Sequence, residues 1–240
     1  MRTVIFAVAG LLLVTAPARS AGRITSFDDR GEPARAVDIR LTAFGSFTIP
    51  CGEFGQASNG RSGFALAGSG GGLELSGRYR HDVEVGAAVW VDQNRGDGNR
   101  VASYIERAIE AAGFPVPPGG YHVSMTRWNS VWGLMRVGYD PRVGRVMRAF
   151  GAGYVGAVYA RSPGVVITVS SPGISSRTAG HAYFGPAVGA GAGVRLGEHF
   201  TLEMLYLQGS LYPQGWSGRT DGEHQPIGEL QAAMGYGFGF

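Results

Sequence analysis

The clearest regularity in the chain is a two-residue alternation, in which side chains point to opposite faces of an extended strand. It is sharpest at the C-terminal end. There Leu230, Ala232, Met234, Tyr236, Phe238 and Phe240 alternate with Gln231, Ala233, Gly235, Gly237 and Gly239. One face is large and apolar, and the other is nearly bare. Upstream, Phe184 to Leu196 alternate with a glycine-rich face ending in Arg195, and Phe200, Leu202, Met204 and Tyr206 alternate with Thr201, Glu203 and Leu205. Val83 to Val91, Leu73 to Tyr79, Val37 to Ala43 and Val131 to Tyr139 read the same way. A further segment around Phe150-Gly-Ala-Gly-Tyr154 has apolar residues on both parities, so its facing stays open.

The alternation predicts strands at 36–47, 65–80, 83–92, 129–139, 146–160, 182–196, 199–212 and 229–240. Short connections join them at His81-Asp82, Asp140–Arg145 and Gly197–His199. Long connections at 48–64, 93–128, 161–181 and 213–228 are rich in Gly, Pro, Ser and Asn. Short and long connections alternate strictly. That is the rhythm of an all-β, closed antiparallel up-and-down barrel of eight strands with one trimmed end and one elaborated end. Transmembrane barrels have this form, with short periplasmic turns and longer extracellular loops. Inside the second long connection, Val101, Ile105, Ala108, Ile109 and Ala112 fall on one helical face. Asn99 can cap the start, and Gly113 with Pro115 ends it. A short amphipathic helix is expected there, at about 100–112 in the second extracellular loop.

The N-terminus is of another kind. Arg2, the apolar run Val4–Val14 and the small-residue stretch Ala16–Ala21 form a secretory signal peptide over residues 1–21, with cleavage expected after Ser20 or Ala21. Its apolar run is too short for a helical span, which needs about 20 residues. The barrel domain is then 22–240, and its alternation leaves strands as the membrane-crossing elements.

Composition sharpens this picture at two points. Gly accounts for 41 of 240 residues without a collagen period, so the glycines serve turns or the bare strand face. Charged residues are only 16% of the chain and the net charge is +3, with no dense basic run of the kind nucleic-acid binders carry. The single cysteine, Cys51, excludes an intramolecular disulfide.

The charges of the strands fall mostly on the face without large apolar groups. Asp38, Arg40, Glu74, Arg78, Glu84, Arg136, Arg195 and Glu203 are therefore expected to form an ion-pair network inside the barrel. Arg or Lys on a lipid face costs about 2–4 kcal/mol at the midplane, and buried charges need partners. The same partition argues against a soluble barrel of the lipocalin type, which turns its apolar face inward. Tyr79, Trp128, Tyr139, Tyr206, Tyr212, Trp216 and Phe240 lie near strand ends, where aromatic girdles sit.

The final strand, with Gly235, Tyr236, Phe238 and Phe240, resembles the C-terminal signal that the barrel assembly machinery reads, except that Ala233 stands where a polar residue is usual. With the strand rhythm and the segment Phe184–Val194, this makes the chain similar to the small eight-stranded outer-membrane barrels of the OmpW-like, OmpA-like and opacity-protein-like group. The resemblance implies a bacterial outer-membrane location and contact with outer-membrane lipid and lipopolysaccharide. It implies a structural, adhesive or surface-interaction role without enzymatic activity. The alternative is a narrow OmpW-like conduit with a small hydrophobic ligand. Interior glycines bear on the choice, since they either make room for Trp90 and Trp132 or leave a slot.

No cofactor, metal or nucleic-acid partner is expected. The five histidines lack ligand spacing, and the glycine runs 68–72 and 189–193 lack the residues of a phosphate loop. His122-Val-Ser124 resembles the His-x-Ser of outer-membrane lipid A deacylases and supplies the minor alternative, a lipid A-modifying enzyme. That chemistry needs a carboxylate to orient the histidine, and near the family's acid position this chain has Arg136.

Overall fold

A computed structural model describes residues 38–239 apart from 57–62, 81, 142, 144–145, 171–172 and 214–223. The signal-peptide segment, Trp216 and Phe240 lie outside the described residues. The strands are β1 (Asp38–Pro50), β2 (Ala65–Arg80), β3 (Val83–Gly96), β4 (Tyr121–Met125), β5 (Arg127–Tyr139), β6 (Met147–Arg161), β7 (Val165–Val169), β8 (Ser175–Thr178), β9 (Ala182–Leu196), β10 (Phe200–Pro213) and β11 (Gln225–Gly239). Eight of them close a barrel in the order β1-β11-β10-β9-β6-β5-β3-β2. Every neighbour is antiparallel, and β1 closes on β11 through pairs running from Arg40 with Gly239 to Pro50 with Glu229. The sheet therefore has no free edge, and each ladder N–H and C=O has a strand beside it. Only a closed sheet or a helix does this without water. Among the described residues no helix is long and apolar enough to cross a membrane.

The alternation translates into two faces. Along β5 the burial pattern is strict, exposed at Val131, Met135, Val137 and Tyr139 and buried at Trp132, Leu134 and Arg136. The ambiguous segment resolves as β6, with Met147, Val155 and Tyr159 outward and Phe150, Tyr154 and Val158 inward. Leu73, Leu75, Val85, Val188, Leu202, Met204 and Met234 complete an exposed apolar belt around the wall. Soluble monomers rarely expose contiguous apolar patches beyond a few hundred Å², so a belt that encircles the molecule belongs against hydrocarbon.

The long connections hold more structure than the sequence pattern predicts. The second contains α1 (Gly98–Ala111). Its N-cap is Asp97, whose carboxylate accepts from the Arg100 N–H at 3.1 Å, and not Asn99 as expected. Asp97 wins because it stands at the end of β3, where the chain turns, and its side chain reaches the third N–H of the helix. The second and third connections, read as loops from their polar composition, also supply β4, β7 and β8. These form a separate three-stranded sheet in the order β4-β7-β8. Val165–Val169 is an unbroken run of β-branched residues, the composition that favours strand. The small sheet extends β5, β6 and β9 past the rim: Asn129 pairs with Arg161 in the wall and Met125 with Val165 above it. Along one side the wall rises into a flap, with α1 beside β4, where the Tyr121 N–H donates to Glu106 at 3.2 Å.

Candidate functional site: the barrel interior

The inward side chains stack in layers. At the short-turn end, Arg136 donates to Glu84 at 2.5 Å and lies 3.5 Å from Glu74. Arg195 grips the same Glu84 with both terminal nitrogens at 2.7 Å and reaches Asp140 at 2.7 Å. Arg78 and Arg148 approach Asp140 at 3.3 and 3.8 Å. The Arg136 Nε–H donates to the Tyr154 hydroxyl, which in turn donates to Glu203 at 2.6 Å. Phe150 carries both Arg136 and Arg195 over its ring, at 5.3 and 5.1 Å. Each buried acid here has a cation or a hydroxyl against it, which is the condition under which buried charge is tolerated.

Of the residues expected in this network, Glu74, Arg78, Glu84, Arg136, Arg195 and Glu203 come together as described. Arg40 faces the same end but bonds the His199 carbonyl and the Thr42 and Thr201 hydroxyls. Asp38 pairs with Arg78 in the β1–β2 register, and its side chain lies outside the described ones. Asp140, Arg148 and Tyr154 were not anticipated. Asp140 reads as a turn residue because Pro141 follows, yet it is fully buried at the strand end and accepts from Arg195.

Above the charges lies an aromatic and aliphatic layer. Trp90 and Trp132 stand opposite each other on β3 and β5, and Phe44 sits 5.0 Å from Trp90. Trp90, Trp132, Leu205 and Leu207 have 0% exposure. The interior glycines are the complement of these large groups. A Cβ at Gly72 would lie 2.7 Å from the Trp90 ring, one at Gly189 2.6 Å from Leu207, and one at Gly193 2.7 Å from Phe150. At these positions the bare face is therefore space already occupied by side chains of neighbouring strands.

A second polar layer follows. Gln231 donates to both Asp92 at 2.9 Å and Glu229 at 3.3 Å. Asn94 donates to Glu229 and accepts from the Thr48 hydroxyl, both at 2.7 Å. Among the described residues no cation pairs with Asp92 or Glu229. Asp92, Glu229 and Gln231 lie within the expected strands but carry no opposite charge that would mark them as a network, and Asn94 lies past the expected end of β3. Phe54, Trp128, Leu211 and Ile227 close the barrel above it. Phe54 packs edge-on against Trp128 at 5.3 Å, and the Trp128 indole N–H donates to the Gly63 carbonyl at 2.9 Å. A cavity of about 290 Å³ lies at the rim, lined by Cys51, Glu53, Tyr206, Gln208, His224 and Pro226. Beneath it Leu207, Leu211 and Ile227 are buried and packed.

The remaining sequence candidates separate. His122 and Ser124 are exposed on β4 in the flap, and among the described residues neither side chain makes a hydrogen bond. In β11, Gly235 faces inward, where a Cβ would meet the Phe44 ring at 2.6 Å. Tyr236 and Phe238 face outward, with Tyr236 stacked on His199 at 5.1 Å and edge-on to Phe200 at 5.3 Å. His199 thereby joins an aromatic cluster at the short-turn rim.

No family model matches the chain, and no curated protein does. Among solved structures the chain is similar to Neisserial surface protein A, at 10% identity over 84% of this chain and 97% of that one, with a TM-score of 0.42. It is similar to Ail, the attachment invasion locus protein of Yersinia pestis, at 14% identity over 84% and 97%, with a TM-score of 0.38. It is similar also to a major outer membrane protein from Thermus thermophilus, at 14% identity over 86% and 100%, with a TM-score of 0.42.

Proposed function

We propose that this chain is a bacterial outer-membrane barrel whose role is structural or adhesive, exercised through the flap and not through the barrel lumen or by catalysis. One observation carries the reading: the described inward side chains stack in alternating charged, aromatic and polar layers along the barrel, while the elaborated end projects a helix and a sheet beyond the rim. A filled eight-stranded interior matches the geometry of barrels of this strand number, whose lumen side chains fill. The apolar belt supports the membrane location. It makes outer-membrane lipid the protein's solvent, and the outward aromatics Tyr139, Tyr206 and Tyr212 its interface anchors, whereas Trp128 points into the barrel. Export by the 1–21 leader and recognition of Gly235, Tyr236, Phe238 and Phe240 by the barrel assembly machinery belong to the same proposal.

The test has two parts. An epitope inserted after Gly113, just past α1, is expected to be labelled by antibody on intact cells. The purified barrel in a planar bilayer is expected to give no steady conductance. A stable open channel would sink the lumen half of the reading, and an epitope labelled only after lysis would sink the surface half.

A further inference from the structure

On the outer wall at the elaborated end, three strands carry stacked rows of side chains whose chemistry changes with height. The lowest of these rows is Val91, Val131 and Tyr159, on β3, β5 and β6 in direct register. One step up are Gln93, Asn129 and Arg161, and the next holds Arg95 opposite Arg127. Arg95 and Arg127 are exposed, and Arg127 donates to Gln93 at 3.1 Å. Among the described residues no carboxylate pairs with either. The two nearest acids in sequence are turned to other uses, Asp92 inward to Gln231 and Asp97 to the α1 cap and Arg100. Along the same rows Tyr159 continues into Phe184 and Tyr212, and Arg161 into Ala182, on β9 and β10.

Like charges directly opposite in a sheet destabilise it, because opposed Cα atoms stand only about 4.5–5.5 Å apart. An anion between them removes that cost. Height says which anion. The run of β5 from Tyr139 to Arg127 covers roughly 40 Å at about 3.3 Å per residue, or about 30 Å across the membrane at a tilt near 40°. That places the pair just above an apolar band about 25 Å tall, where lipid phosphates lie. Guanidinium groups bind phosphate oxygens in bidentate fashion.

We propose that Arg95 and Arg127, with Arg161 one row below, form a binding site for the phosphate of an outer-leaflet glycolipid of the lipopolysaccharide class, with Tyr159, Val131 and Val91 receiving its acyl chains. The inference rests on the membrane reading above. It is tested on the full barrel in phosphatidylcholine nanodiscs, by native mass spectrometry of retained lipid A carrying both phosphates against dephosphorylated lipid A of the same acyl composition. The phosphorylated form is expected to be retained preferentially. The double variant Arg95→Gln, Arg127→Gln is expected to lower its retention about tenfold, a difference of about 1.4 kcal/mol, and to leave the dephosphorylated lipid unaffected. Arg177→Gln, on the exposed β8 strand, is expected to change nothing. Equal retention of the two lipids, an unaffected double variant, or an equal loss with Arg177→Gln would overturn the site. A barrel that does not enter nanodiscs at all would overturn the membrane reading itself.

Discussion

Two polar layers inside one barrel handle buried acids in opposite ways. Near the short turns, Glu84 is held by two arginines and Asp140 by Arg195, with Arg78 and Arg148 alongside. Nearer the loops, Asp92 and Glu229 share the amide of Gln231, with Asn94 on Glu229, and among the described residues meet no cation. The aromatic layer of Phe44, Trp90 and Trp132 keeps the two apart. In the first layer the acid's charge is required, since it neutralises cations that have nowhere else to go. In the second the acids act as hydrogen-bond acceptors, and their charge has no partner. The difference teaches that a charged residue on the inward face of a strand does not have one role. Its value depends on which layer the register brings it to.

The most severe break of the comparison is Glu84→Gln. It leaves Arg136 and Arg195 buried with a shared anion removed, and loss of one partner of a buried pair costs about 3–5 kcal/mol. Urea unfolding of the bilayer-inserted barrel, followed by tryptophan fluorescence, should show a midpoint shift of that size. An effect below about 1 kcal/mol would mean that the network is less interdependent than its distances indicate.

Gly72→Ala tests the layer between. The added Cβ would stand 2.7 Å from both the Trp90 ring and the Val89 carbonyl, so the wall or the indole must move. Overpacking of this kind costs about 1–3 kcal/mol. The same unfolding experiment reads it, and a neutral result would show that Trp90 has space the packed interior does not reveal.

These residues also mark how far the sequence could be read. The alternation in β9 and β11 is legible because long stretches of their inward faces are glycine or alanine, so the outward face stands out by contrast. β6 is illegible for the complementary reason: Phe150 and Tyr154 fill volume left by Gly189, Gly191 and Gly193 on the neighbouring strand, Val158 fills that left by Gly209 on β10, and both its parities become apolar. That complementarity is a property of strand register, which periodicity within one segment does not contain. The flap was hidden in the same way. β4 and β8 are short and largely polar, and only their pairing with β7 makes them strands. The charge list found the acids and bases of the first layer by face, but not Asp140, whose Pro-linked position reads as a turn.

Asp97→Ala acts outside both layers. It removes the α1 cap, worth about 1 kcal/mol to the helix, while the barrel ladder lies elsewhere. Hydrogen exchange should quicken in the first turn of α1 and stay unchanged in β3 and β5. Faster exchange throughout the wall would show that flap and barrel are one cooperative unit.

The finest test is the sign of Asp92→Asn. Asp92 is fully buried, and its Oδ2 accepts from Gln231, an acceptor that asparagine retains through its carbonyl. The substitution also removes a carboxylate that sits with Glu229 around one amide. Replacing buried charge by a neutral group of equal shape is often neutral or stabilising when no cation is left behind. The expected change is within about 1 kcal/mol and of stabilising sign, against the large loss expected from the isosteric change at Glu84. Measured side by side at neutral pH, the two amides separate charge from shape. If Asp92→Asn destabilises as much as Glu84→Gln, the upper layer depends on its charge as the lower one does, and the contrast between them fails.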